Sequence, residues 1–157
     1  MQIFILRHGQ AEIQQTTDEA RQLTAKGRSD VALTIAHSIK DLKGIKQLWA
    51  SPLVRAQQTA VIARGLLAEA DVNLSIHTTD LLAPEANCNA LFVALQHAEA
   101  NSILLASHMP LVGNLLDILC GARSGYHSMN TSSLACVDCE VAAAGLGTLR
   151  WLRHVNE

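Results

Sequence analysis

The stretch that most limits what this chain can become is its opening run. Met1, Gln2, Ile3, Phe4, Ile5 and Leu6 are almost continuously apolar, and the run stops at Arg7, His8 and Gly9. A short run rich in Ile and Phe, without in-and-out alternation, suits a central parallel strand covered on both faces. Gly9 then lets the backbone turn tightly, because it has no Cβ to clash. In open α/β sheets the carboxyl ends of the parallel strands face the ligand crevice. The chain therefore presents a cation and an imidazole at a place built for ligands, which suggests an anion site with a potential nucleophile.

The rest of the sequence repeats this arrangement. Gln10 to Gln22 is polar without a regular apolar period and reads as an ordered loop over the crevice. Thr24 can cap a first helix, in which Val31, Ile35, Ile39 and Leu42 recur at helical spacing before Gly44 ends it. Gln47–Ala50 reads as a second strand, and Ser51 and Pro52 as the cap and first residue of a helix to about Ala70. Ala56, Ala60, Ala63 and Leu67 share one face of that helix, and Arg55 falls in its first turn. Leu74, Ile76 and Thr78 alternate with polar residues like an edge strand. Asn87–Ala98 reads as a third helix, Ser102–Ser107 as a second strongly apolar strand ending at His108, and Met109 to Gly121 as an apolar helix with Pro110 in its first turn. After a polar loop from Arg123 to Asn130, Thr131–Cys139 and Thr148–Leu152 read as a closing hairpin. The order predicts a three-layer α/β fold: a mostly parallel central sheet, helices on both faces, and an antiparallel strand near the C-terminus. A chain of 157 residues fits one such domain, residues 1–157.

Composition narrows the chemistry. Twelve Lys and Arg against 14 Asp and Glu give a formal charge of −2, so no global basic field favours nucleic acid, and an anion must be caught locally. No stretch approaches the roughly 18 uninterrupted apolar residues of a membrane span, and no basic and apolar leader pattern precedes the first strand. A soluble cytoplasmic protein is expected. Cys88, Cys120, Cys136 and Cys139 read as reduced packing thiols: the one close pair, Cys136 and Cys139, falls in a strand, where residues three apart point to opposite faces. No second cluster at ligand spacing accompanies it, so neither a structural metal nor any other cofactor is expected.

Taken singly, a histidine at a strand end or an arginine in a first helical turn is unremarkable. Together, Arg7, His8, Arg55 and His108 lie at the carboxyl ends of three strands, with no carboxylate neighbour evident in the sequence. Such concentrated positive charge is costly unless an anion is its partner. Helix N-termini on the same rim add to the attraction for phosphate. Gln10 and Ser51 are candidate supporting donors, and His127, Asn130, Thr131 and Ser132 candidates for the rim. His37, His77, His97 and His154 are expected to be exposed.

Arg7-His8-Gly9 after the first strand resembles the signature of the histidine phosphatase superfamily, also called phosphoglycerate mutase-like. Leu23-Thr24 through Gly27, Ser51 through Thr59, and Ser107-His108-Met109-Pro110 are similar to its later blocks. The short length and the form of the last block look most like the SixA group of protein phosphohistidine phosphatases. The resemblance implies that His8 is the nucleophile and becomes phosphohistidine, that Arg7 and Arg55 hold the phosphoryl oxygens, and that His108, protonated or donating through one nitrogen, takes the charge developing there. Arg7 and Arg55 would keep His8 neutral by depressing its pKa. No metal is required. Larger members carry an inserted acidic segment that protonates a leaving alcohol, whereas Asp80 to Asn87 leaves no room for one. Glu85 is the one carboxylate placed to act as acid. The implied substrate is a histidine-phosphorylated signalling or phosphotransfer protein, because an imidazole leaves more readily than an alkoxide. The alternatives are a small-molecule phosphomonoesterase using Glu85, and a module that binds phosphate or phosphoprotein without turnover.

Overall fold

A computed structural model describes residues 1–155. The first strand, β1 (Gln2–Arg7), shows why the opening run is apolar throughout. Ile3 and Ile5 enter one hydrophobic core and Phe4 and Leu6 the other, all at most 1% exposed. Burying four such side chains is worth roughly 6 to 12 kcal/mol gross, at about 1.5 to 3 kcal/mol each. Sliding the strand by one residue would exchange its two faces, so this burial also fixes its register.

Around it lie α1 (Ala25–His37), the short α2 (Ile39–Leu42), β2 (Gln47–Ala50), α3 (Val54–Glu69), β3 (Ile76–Thr78), α4 (Cys88–His97), β4 (Ser102–Ser107), α5 (Leu111–Cys120), β5 (Leu134–Cys139) and β6 (Gly147–Arg153). The strands form one six-stranded sheet in the order β3-β2-β4-β1-β5-β6. β3, β2, β4 and β1 are mutually parallel, β5 is antiparallel to β1, and β6 is antiparallel to β5. Val31, Ile35, Ala60, Ala63 and Leu67 of α1 and α3 pack on Phe4 and Leu6. Leu91, Phe92 and Leu95 of α4, and Leu111, Val112 and Leu115 of α5, pack on Ile3 and Ile5. The three-layer α/β architecture expected from the sequence is the one observed.

Several boundaries differ from the sequence reading: β5 begins at Leu134 and not Thr131, α5 at Leu111 and not Met109, and two further differences bear on packing and on the site. The first helix breaks at the buried Ser38 (φ −110, ψ 9), whose hydroxyl accepts a hydrogen bond from Arg153 at 2.9 Å, and restarts as α2. Helix α3 starts at Val54 with Leu53 as an uncapped N-cap, so Ser51 and Pro52 precede it.

The sheet order brings the site together. β2, β4 and β1 are neighbours, and Ala50 and Leu6 both pair with Ala106, so the three strands end at one level. The turn after β1 is crowded: a Cβ on Gly9 would stand 2.6 Å from the Gly27 carbonyl oxygen, and one on Gly27 would stand 2.1 Å from that of Gln10. Only two glycines let α1 lie this close. All four cysteines are free, and burial, with help from Asp138 and Asp41, pushes the Cys136 thiol up to about 11.

Candidate active site

The backbone around His8 is held from three directions. Its N–H donates to the Ser107 carbonyl at 3.0 Å, the Gly9 N–H donates to Thr59 Oγ1 at 3.2 Å, and the Ser132 N–H donates to the His8 and Arg7 carbonyls at 3.0 and 3.2 Å. The His8 ring is buried, and its Nδ1 lies 2.7 Å from the Gly9 carbonyl oxygen. A carbonyl only accepts, so Nδ1 carries the hydrogen and Nε2 carries the lone pair. Nε2 bonds to no protein group among the described residues and is reached by solvent. The His8 pKa is lowered to about 4, chiefly by burial. The Gly9 bond opposes this, and the charges of Arg55, Arg7 and Arg21 add to the lowering. The arginines therefore contribute, but burial leads, which corrects the expectation that they are the cause.

The ring of His108 packs beside that of His8, with centroids 5.1 Å apart. Its Nε2 is 2.7 Å from Ser51 Oγ, which also accepts the Leu53 N–H at 3.3 Å. The Ser51 hydroxyl hydrogen has no other acceptor among the described residues, so it donates to Nε2 and leaves His108 with an Nδ1–H. The pKa of His108 is lowered to about 3, by burial first, then by His8, Arg55 and Arg7 against the opposing charge of Asp18. Of the two forms expected for His108, the neutral donor is the one the site supports.

Both guanidinium groups are anchored on one edge. Arg7 donates through Nη1 to the Met129 carbonyl at 2.6 Å. Arg55, only 4% exposed, donates through Nη1 to the Asp18 carbonyl at 2.8 Å and through Nη2 to Asp18 Oδ2 at 3.1 Å. Asp18 overturns the expectation that no carboxylate stands near these charges. It also pairs with Arg21 at 3.1 Å. Burial pushes the Asp18 carboxyl up, but the bonds from Arg21 and Arg55 outweigh this and hold it below its ordinary value.

What remains unpaired is informative. Five buried side-chain polar atoms lack a partner among the described residues, and three of them are Arg7 Nε, Arg55 Nε and His108 Nδ1. Each orphaned donor costs about 1 to 3 kcal/mol. An oxyanion offers acceptors of the kind these three donors lack, and the His108 ring that carries one of them packs beside that of His8.

The other candidates separate. Ser51 supports His108, as expected. Gln10 does not reach the site, because its Oε1 accepts from the Thr24 hydroxyl at 2.8 Å. Glu85 is exposed in the turn after a 3-10 segment, Asp80–Leu82, and bonds to none of the four residues, although Ser107 Oγ donates to the Leu82 carbonyl at 2.6 Å and ties that segment to the rim. In the loop before β5, the contact to the site comes from the Met129 carbonyl and the Ser132 backbone. His127 instead bonds Asp117 at 2.8 Å. His37, His77 and His97 are exposed, whereas His154 is half-buried, with Nδ1 2.5 Å from Ser133 Oγ. The sequence reading missed Asp18 and Arg21. Their spacing of three, which places opposite charges about one turn apart, was the available signal.

Residues 3–83 match the model of the histidine phosphatase superfamily, branch 1. The phosphohistidine phosphatase SixA of Escherichia coli (strain K12) is 32% identical over 159 residues, covering 96% of this chain and 92% of that protein. A SixA homolog of Haemophilus influenzae is 28% identical, over 79% of this chain and 80% of that one. The solved structure of the protein histidine phosphatase SixA complexed with tungstate superposes with a TM-score of 0.84 at 28% identity, covering 99% of this chain and 98% of that one. This chain belongs to the histidine phosphatase superfamily. It is a hydrolase of that class, and no helix among the described residues is long and apolar enough to cross a membrane.

Proposed function

We propose that the chain, read over residues 1–157 as one cytoplasmic catalytic domain, removes phosphate from phosphohistidine on a signalling or phosphotransfer protein. Arg7 and Arg55 hold the phosphoryl oxygens in two-pronged contacts. The His8 Nε2 lone pair attacks phosphorus as the substrate's P–N bond breaks, and the departing imidazole keeps that electron pair. Its other nitrogen is already protonated, with a reference pKa near 6.5, so it leaves neutral and no acid is needed. The Gly9 carbonyl accepts the Nδ1–H of the phosphorylated His8 ring and holds its charge. His108 Nδ1–H donates to the equatorial oxygen on which charge develops. Water then attacks phosphorus, Nε2 recovers its electron pair, and the water proton goes to the released phosphate. No step requires a metal.

The observation that carries this reading is the set of three buried, unpartnered donors on Arg7, Arg55 and His108, together with the free Nε2 of His8. The choice of phosphohistidine is supported by the similarity to SixA phosphohistidine phosphatases and by the position of Glu85, which is exposed and bonded to none of the four residues, while Asp18 is tied up by Arg55 and Arg21. In His8→Ala, turnover of a phosphohistidine protein and the covalent phosphoenzyme should both vanish. Retained turnover overturns the nucleophile. Faster hydrolysis of alkyl phosphates than of phosphohistidine protein by the unaltered chain overturns the substrate, and tight phosphoprotein binding without turnover points to a sensor.

A further inference from the structure

Arg55 carries its charge into the site from the second residue of α3, and its outer edge is closed by a loop that lies 37 residues earlier in the sequence. The loop between β1 and α1 is pinned at its base by the bridge of Ala11 with Leu23, by Glu12 N–H to the Gln22 carbonyl at 2.8 Å, and by Leu23 N–H to Gln58 Oε1 of α3 at 2.8 Å. At its tip the 3-10 turn Asp18–Ala20 delivers one carboxylate between two guanidinium groups. Asp18 Oδ2 takes Arg55 Nη2 and Asp18 Oδ1 takes Arg21 Nη1, each at 3.1 Å. Arg21 is fixed in turn by Nε–H to the Glu12 carbonyl at 2.7 Å.

A carboxylate beside an anion pocket can act in two opposed ways. It can compete with the phosphoryl group for the arginine, or it can aim the arginine at it. The contacts decide for aiming. Asp18 engages the two terminal nitrogens of Arg55, one hydrogen each, through two separate acceptors, its carbonyl and its Oδ2. Two contacts fix the plane of the guanidinium and leave Nε unpaired and buried, together with the second hydrogen of each terminal nitrogen. Arg21 prevents the carboxylate from swinging away.

We propose that Asp18 is a positioning residue for phosphoryl transfer: buttressed by Arg21, it orients Arg55 so that the unpaired guanidinium edge meets the phosphoryl oxygens. The inference rests on the phosphatase reading above. Losing a preorganised donor of this kind costs on the order of 10² to 10³ in rate, and a misaimed one part of that.

The test compares Asp18→Ala, Asp18→Asn, Arg21→Ala and the double variant D18A/R21A with the unaltered chain. It measures turnover of a phosphohistidine protein, inhibition by inorganic phosphate, and Tm without ligand. Asp18→Ala should lower kcat/KM by about 10-fold or more and weaken phosphate inhibition in parallel, while Tm moves by no more than about 2 °C, since the Asp18 carboxylate is 45% exposed and solvent can take its place beside Arg55. Asp18→Asn should recover part of the loss through its remaining acceptor. Arg21→Ala should lose less than Asp18→Ala, and D18A/R21A should be no worse than Asp18→Ala alone, because both act through one contact. Asp18→Ala within about twofold of the unaltered chain would overturn the inference, and so would tighter phosphate inhibition, which would reveal a competitor; both margins are small against an expected change of this size. A drop in Tm with phosphate affinity unchanged would reduce Asp18 to a structural role and overturn it as well. If the unaltered chain binds phosphate but turns nothing over, the phosphatase reading fails instead, and the phosphate affinities of the variants still decide the orienting role.

Discussion

Arg7 and Arg55 perform one task with two different supports. Arg55 is held by a charged side chain on a polar loop, with the Asp18 carboxylate 45% exposed and the neighbouring Ile13 87% exposed. Arg7 is held by a neutral carbonyl from a buried segment: Met129, Ser132 and Ser133 are all 0% exposed, and the Thr34 hydroxyl donates to the Ser132 carbonyl at 2.7 Å. Behind that segment stands Asp117, 2% exposed, accepting from Gly125 N–H at 2.9 Å and from His127 N–H and Nδ1 at 2.8 Å. Burial pushes the Asp117 carboxyl up, but the bonds from His127 and Gly125 hold it below its usual range. One support is part of the core and the other rests on the surface. A buried support couples its arginine to the stability of the whole fold, whereas an exposed one can be adjusted with little effect on folding.

The widest separation should come from Asp117→Ala set beside Asp18→Ala. Removing the buried carboxylate orphans three donors and should cost about 3 to 5 kcal/mol of stability, read by denaturant unfolding, with kcat/KM of the folded fraction nearly retained. Asp18→Ala should cost less than about 1 kcal/mol. Equal losses of stability in the two variants would break the contrast.

A pH series sharpens it next. His8 and His108, lowered to about 4 and about 3, stay neutral in the folded protein while the unfolded chain takes up protons below its ordinary value of 6.5. Stability should therefore be flat with respect to these groups above pH 6.5 and fall as pH drops from 6.5 towards 4, by about 1.4 kcal/mol per unit for each imidazole. Because burial is the leading cause, Asp18→Ala should keep that slope, as measured by Tm against pH. A slope that disappears in this variant would mean that the exposed loop, and not the core, keeps the imidazoles neutral.

The smallest effect is expected at Ser132, which holds a positive φ of 65 inside the buried support. Its hydroxyl has no partner among the described residues, and its backbone N–H does the work. Ser132→Gly should relieve the left-handed strain while adding unfolded-chain entropy, two terms of about 1 kcal/mol each that nearly cancel. A large loss of Tm or activity would show that the side chain matters.

The same contrast explains what could be read from the sequence. β1, β2 and β4 were legible because strands buried on both faces must be continuously apolar. The residues that end them were legible because an interruption by Arg7-His8 or His108 stands out against such a run. The link from Asp18 to Arg55 was not legible, since the two lie 37 residues apart with α1, α2 and β2 between them, and the loop that carries Asp18 has no period to read. Ser51 was rightly read as a supporting donor, but its capping role was misread for a related reason. Ser-Pro before an apolar period is a local signal for a helix cap, but the hydroxyl was taken by His108, 57 residues further on. Where a side chain serves two distant elements, the local pattern reports only the nearer one.

Ser51 also shows a trade written into the fold. Helix α3 begins without a capping side chain, although a hydroxyl sits three residues before its first turn, and that hydroxyl is spent on setting which nitrogen of His108 holds a hydrogen. Redesigning this junction for a better-terminated helix would strengthen the scaffold and, by turning the hydroxyl away, let the neighbouring imidazole present a lone pair where a donor is wanted. An uncapped helix end thus keeps the protons of the pocket in place.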